Sequence, residues 1–131
     1  MILLDTNSLI WWVNRHAELS VAALAAIEAE RPGGEILISA ITALEVAELA
    51  QAGRLGLRME PSAWLAQIGA LAEIRYVPVN NEIAVRAATL PALAPGGLIA
   101  RILTATARQY GCPLITGSAK LRAYSHIRTI W

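Results

Sequence analysis

Asp5 is the only aspartate among the 131 residues, and it stands in MILLDTNSLIWW, directly after three aliphatic side chains. A carboxylate so close to an apolar run needs a partner, a metal or a backbone donor, because a charge taken out of water is costly unless compensated. Glu45 lies in ISAITALEVAELAQ, and Thr116 and Ser118 fall in PLITGS. These side chains carry hard oxygen donors of the kind that Mg²⁺ and Mn²⁺ take. A divalent ion held by such groups can activate water and hold a phosphate for in-line attack. Each residue also has a purely structural use. Asp5 suits the N-cap of a helix that follows the first strand. Thr42 and Glu45 have the T-x-x-E spacing of a capping box. Asn7 would support a metal-bound water or the turn itself, and Glu48 reads as a solvated helix residue.

These groups do chemistry together only if the elements that carry them bring them together. ILLD (2–5), ILIS (36–39), IRYVPV (74–79) and PLIT (113–116) read as strands, and IRTIW as a last edge strand. The early ones are continuous apolar runs. Helices are expected over 8–14, with Leu9, Ile10 and Val13 inward, and from a Ser20 cap to Glu30. RPGG (31–34) stops the second. Further helices are expected from the capping box at Thr42 to Ala52, after Pro61, over 80–90 and over 98–110. Gly111 closes the 98–110 helix, PALAPGG (91–97) is a loop before it, and 118–124 forms a short helical turn. Strands alternating with helices give an α/β class with a parallel sheet covered on both faces. Ligands of open parallel sheets bind beyond the carboxyl ends of the strands. Asp5, Thr116 and Ser118 lie at such ends, and Glu45 lies in the first turn after the second strand, so all of them converge on one crevice.

The apolar fraction of 56% exceeds that of ordinary soluble domains and points to a well-filled core plus a covered partner surface. The chain reads as one domain over 1–131. No apolar run reaches the ~18 residues of a membrane span. The first residues lack the basic start of a signal peptide. Cys112, the only cysteine, excludes an internal disulfide and reads as a small core residue in a cytoplasmic protein. His16 and His126 read as surface or packing residues. Trp11, Trp12 and Trp64 are core by default, with one of the first two available to a partner groove. Charge is uneven: residues 1–82 carry five basic and ten acidic side chains, whereas residues 83–131 carry six basic and no acidic ones. That asymmetry suits an anionic partner. A nucleotide-binding domain is disfavoured, since neither G-x-G-x-x-G nor G-x-x-x-x-G-K-[ST] occurs.

MILLDTNSLIWW, ISAITALEVAELAQAGRL and RILTATARQYGCPLIT together resemble a PIN domain, specifically a VapC-type toxin of a type II toxin–antitoxin system. The likeness runs over nearly the whole chain. It implies a three-layer α/β/α fold around a central parallel sheet of four to five strands and a homodimer. It also implies Mg²⁺- or Mn²⁺-dependent endoribonuclease activity on RNA, and an antitoxin whose C-terminal segment lies across the active-site groove. Asp5 matches the family's first acid and Glu45 its second, and both would be catalytic and metal-binding. Two principal positions depart from the pattern: Ala100 and Ser118 stand where acids are expected, and Gly97 replaces an accessory acid. Arg101 is retained, and Asn7, Thr116 and Arg101 are the residues expected to support the site. A reduced acid set implies weak metal binding and reduced cleavage, so the alternative is a nuclease-inactive PIN-fold protein that sequesters an antitoxin or RNA. The start of the 98–110 helix, with Arg101 in its first turn, offers a corner that favours an anion.

Overall fold

In a computed structural model covering residues 1–131, β1 (Ile2–Leu4) lies in the middle of a five-stranded, wholly parallel sheet of order β3-β2-β1-β4-β5. The other strands are β2 (Ile36–Ser39), β3 (Ile74–Val77), β4 (Leu114–Ile115) and β5 (Thr129–Ile130). Helices α1 (Thr6–Val13) and α2 (Val21–Glu30) separate β1 from β2, and α3 (Ala40–Gln51) and α4 (Pro61–Gly69) separate β2 from β3. After β3 come α5 (Asn81–Ala88) and α6 (Leu98–Tyr110), and α7 (Ala119–Ala123) joins β4 to β5.

Pleating sends successive side chains of a strand to opposite faces, and here both faces are buried. Ile2, Leu4, Ile36, Ile38 and Ile74 pack with Leu9 of α1, Ile27 of α2, Val46 of α3 and Trp64 of α4. Leu3, Leu37, Val77 and Leu114 pack with Leu103 and Ala107 of α6 and Leu121 of α7. Ile83 and Ala87 of α5 pack on Ile102 and Ala105 of α6, extending that layer outward. The result is the expected three-layer arrangement. Leu3, Leu4, Leu37 and Ile38 are fully buried, each contributing roughly 1.5–3 kcal/mol of transfer free energy.

Three boundaries differ from the sequence expectation. α1 begins at Thr6, not Ser8, because Asp5 itself caps it. Val13, expected inward, is exposed. α3 begins at Ala40, so the capping box at Thr42 and Glu45 does not form. β2 runs directly into α3 without a loop, and the last strand residue, Ser39, becomes the cap by accepting from the Ile41 N–H at 3.2 Å. Thr42 is thereby drawn into the helix and fully buried. β3 stops at Val77, since Pro78 has no N–H for the ladder. Gly111 ends α6 in the left-handed conformation at φ 63°. A side chain there would be strained.

Candidate active site at the carboxyl edge of the sheet

β1 and β4 are neighbours, with Leu4 opposite Ile115. The Asp5 N–H continues the ladder by donating to the Ile115 carbonyl at 3.1 Å. Ser8 Oγ donates to the same carbonyl at 3.1 Å and ties α1 to the end of β4. Asp5 and Thr116 therefore emerge side by side. Asp5 is half-buried, with extended backbone, and its Oδ1 accepts the Ser8 N–H at 2.7 Å. The helix-cap reading of this residue is thus met by one oxygen, and the second oxygen makes no hydrogen bond within the chain.

Glu45 contacts the residue that follows Asp5. The Thr6 hydroxyl donates to Glu45 Oε1 and lies 3.2 Å from Thr42 Oγ1. A hydroxyl has one proton. With the Thr6 proton on the carboxylate, Thr42 donates to Thr6, giving a relay Thr42–Thr6–Glu45. Thr6 and Thr42 are buried, while Glu45 remains half-buried. The α3 acid is thus held by the residue next to Asp5 in sequence. Sequence reasoning missed Thr6. Its only signal was the polar triplet TNS placed directly after a buried strand.

The other positions have local roles. Thr116 is fully buried, and its Oγ1 accepts the Ser118 N–H at 3.1 Å. Ser118 is exposed and caps α7, accepting the Leu121 N–H at 3.3 Å. Ala100 lies in the first turn of α6 against the Leu3–Leu37 cluster, and its carbonyl accepts from Thr104 Oγ1 at 2.7 Å. Asn7 is exposed on the first turn of α1. Arg101 closes the end of α5, donating from Nε to the Ala87 carbonyl at 3.0 Å and from Nη2 to the Ala88 carbonyl at 3.2 Å. Those bonds give its guanidinium a structural use away from the anion corner.

Asp5 and Glu45 are two carboxylates, too few to hold a divalent ion firmly without further ligands. Nowhere in the chain do three or more His, Cys, Asp or Glu side chains group to hold a metal. Asp5 and Glu45 are each already hydrogen-bonded, and hydroxyls are weak substitutes for the carboxylates that Mg²⁺ sites use.

A separate groove of about 720 Å³ lies between α1, α2 and α4. It opens at the far end of α1 from Asp5 and is lined by Trp11, Trp12, Trp64, Leu24 and Leu71, with Glu28 and Arg31 among its polar residues. Trp64 is buried, whereas Trp11 and Trp12 are partly open. His16 stacks on Trp11 at the surface, in keeping with its packing role.

A parallel sheet of this order, helices on both faces and acids at its carboxyl edge define a PIN-like α/β/α protein. The PIN domain model matches residues 2–126, and the chain belongs to the PIN-domain family. It is 34% identical to Ribonuclease VapC22 of Mycobacterium tuberculosis, over 99% of this chain and 98% of that one. Among solved structures it resembles VapBC2 from Rickettsia felis bound to a promoter DNA fragment, with a TM-score of 0.71, 15% identity, and 98% and 97% of the two chains covered. It also resembles VapC20 of Mycobacterium tuberculosis, a sarcin–ricin loop cleaving toxin, with a TM-score of 0.66, 17% identity, and 98% and 99% coverage. A toxin–antitoxin complex from Klebsiella pneumoniae aligns with a TM-score of 0.66, 24% identity, and 96% and 94% coverage. No helix is long and apolar enough to cross a membrane.

Proposed function

We propose that this protein is the VapC-like toxin of a toxin–antitoxin pair, acting as a single domain that takes RNA into the Asp5–Glu45 crevice and cleaves it slowly. The observation that supports this reading is the Thr6 hydrogen bond to Glu45, which ties the α3 acid to the residue that follows Asp5. Ribonucleases of the VapC type generally depend on a metal ion. Mg²⁺ or Mn²⁺ is the finer expectation, and the reduced acid set argues that neither is held firmly before RNA arrives. Asp5 and Glu45 are the residues on which cleavage depends. The aromatic groove between α1, α2 and α4 suits an amphipathic segment of the antitoxin. Leu93 and Leu98, 94% and 70% exposed, support a homodimer that covers them.

The test is cleavage and retention of single-stranded RNA with either metal, for the native chain and for Asp5→Asn. The expected result is slow cleavage that falls by about a hundredfold in the variant, the upper end of what disturbing a metal site's surroundings costs. Cleavage that Asp5→Asn leaves unchanged would overturn this reading. The absence of carboxylates at Ala100 and Ser118 favours a second reading, a binding protein without nuclease activity. Retention of RNA with no cleavage by either protein assigns the chain to it.

A further inference from the structure

The basic excess of residues 83–131 has a focus that the crevice does not use. At the amino end of β4 and β5, opposite the Asp5–Glu45 edge, a cavity of about 390 Å³ lies between α5, the end of α6 and the segment before β5. Its size falls within the ~300–1,000 Å³ range of small-molecule sites. Arg86, Arg108 and Arg128 line it together with Ser125 and His126, and no acid does. None of the molecule's ion pairs involves these arginines. Arg108 Nη1 donates to the His126 carbonyl at 2.8 Å, which fixes the side chain and leaves its other N–H groups available. Arg86 Nε is buried and has no hydrogen-bond acceptor. A buried donor without an acceptor is costly. Glu82 lines only the adjoining cavity of about 610 Å³, which shares Arg86 and Arg108, and it forms no ion pair with either.

We propose that this cavity is a phosphate-binding site, separate from the crevice. Guanidinium forks match the oxygens of a phosphate and hold it by paired, charge-assisted hydrogen bonds. Three of them around one cavity suit a doubly charged anion better than a single carboxylate. Ser125 adds a hydroxyl. The phosphate comes either as a free or nucleotide phosphate or as a link of an RNA backbone.

The test is calorimetric titration of the full chain with inorganic phosphate at constant ionic strength. The native protein is expected to bind saturably. Arg128→Gln, at an exposed position, and Arg108→Gln are each expected to weaken binding about tenfold, as loss of a charge-assisted contact does. Arg54→Gln/Arg58→Gln, which removes charge outside the cavity, is expected to leave it unchanged. Displacement of phosphate by a short single-stranded RNA identifies the backbone as the source, and displacement by a nucleoside monophosphate alone identifies the free form. Absence of saturable binding, or equal binding by Arg128→Gln and the Arg54/Arg58 control, overturns the proposal. Since the readout is binding at an edge remote from Asp5, its failure is distinct from a failure of RNA cleavage.

Discussion

Asp5 caps α1 and is proposed to serve cleavage with the same carboxylate, and two substitutions separate these uses. Asparagine caps a helix as well as aspartate does, whereas alanine does not. Asp5→Asn is therefore expected to leave stability within a few tenths of a kcal/mol, and Asp5→Ala to cost about 1 kcal/mol, measured by urea unfolding. Cleavage is expected to fall in both. Cys112 makes a different prediction. Burial is the main cause that pushes its thiol above the ordinary value of 9.0. The unfolded thiol ionises first as pH rises, so the unfolded chain then binds fewer protons and stability falls. The contribution is fully present below pH 9.0 and is lost as pH rises through the folded value. Thermal melts between neutral pH and mild alkali are expected to show a shallower alkaline decline in Cys112→Ala than in the native chain.

At the level of elements, the two positions that lack acids differ from the glycine beside them. Ala100 sits in the first turn of α6, where a carboxylate is favoured by the helix dipole. Ser118 caps α7, a position aspartate fills equally well. Gly97 has φ 93° and ψ 137°, a conformation hostile to any side chain. Ala100→Asp/Ser118→Asp is therefore expected to fold normally and to raise metal-dependent RNA cleavage by about tenfold or more, since two carboxylates join Asp5 and Glu45. Adding Gly97→Asp is expected to destabilise the chain by about 1 kcal/mol or more. Cleavage assays and thermal melts on the double and triple variants check both outcomes. Gly97 and Ala100 both lie beside Arg101, yet the backbone tolerates a carboxylate at only one of them.

Over the whole molecule, the proposed functions fall to three regions of the surface: the Asp5–Glu45 edge, the aromatic groove at the end of α1, and the basic cavity at the opposite edge of the sheet. The groove takes its apolar lining from three helices, so no single segment of sequence displays it. Trp11 is partly open in it while Trp64 supports it from the core. Trp11→Ala is expected to weaken antitoxin capture by about tenfold, with Asp5-dependent RNA cleavage preserved. Pull-down with the cognate antitoxin, paired with a cleavage assay, reads the two effects separately.

The strands and their order of appearance were legible because each depends on local pattern. Continuous apolar runs must be buried on both faces, and a lone aspartate at the end of one must meet a donor or an ion. Cys112 was legible as a core residue for the same reason. The capping box at Thr42 and Glu45 misled because its T-x-x-E spacing is real but its partners are not local. β2 joins α3 without a loop, Ser39 caps the helix, and Thr6 claims the Glu45 carboxylate. The meeting of Arg86, Arg108 and Arg128 was equally invisible, since they sit on three separate segments. The sequence by itself determined which strands are buried and which helices and strands alternate, because side-chain patterning answers to solvent. Only the tertiary structure decided which polar groups share a hydrogen bond or a cavity, because those contacts depend on how the strands pair and the helices pack.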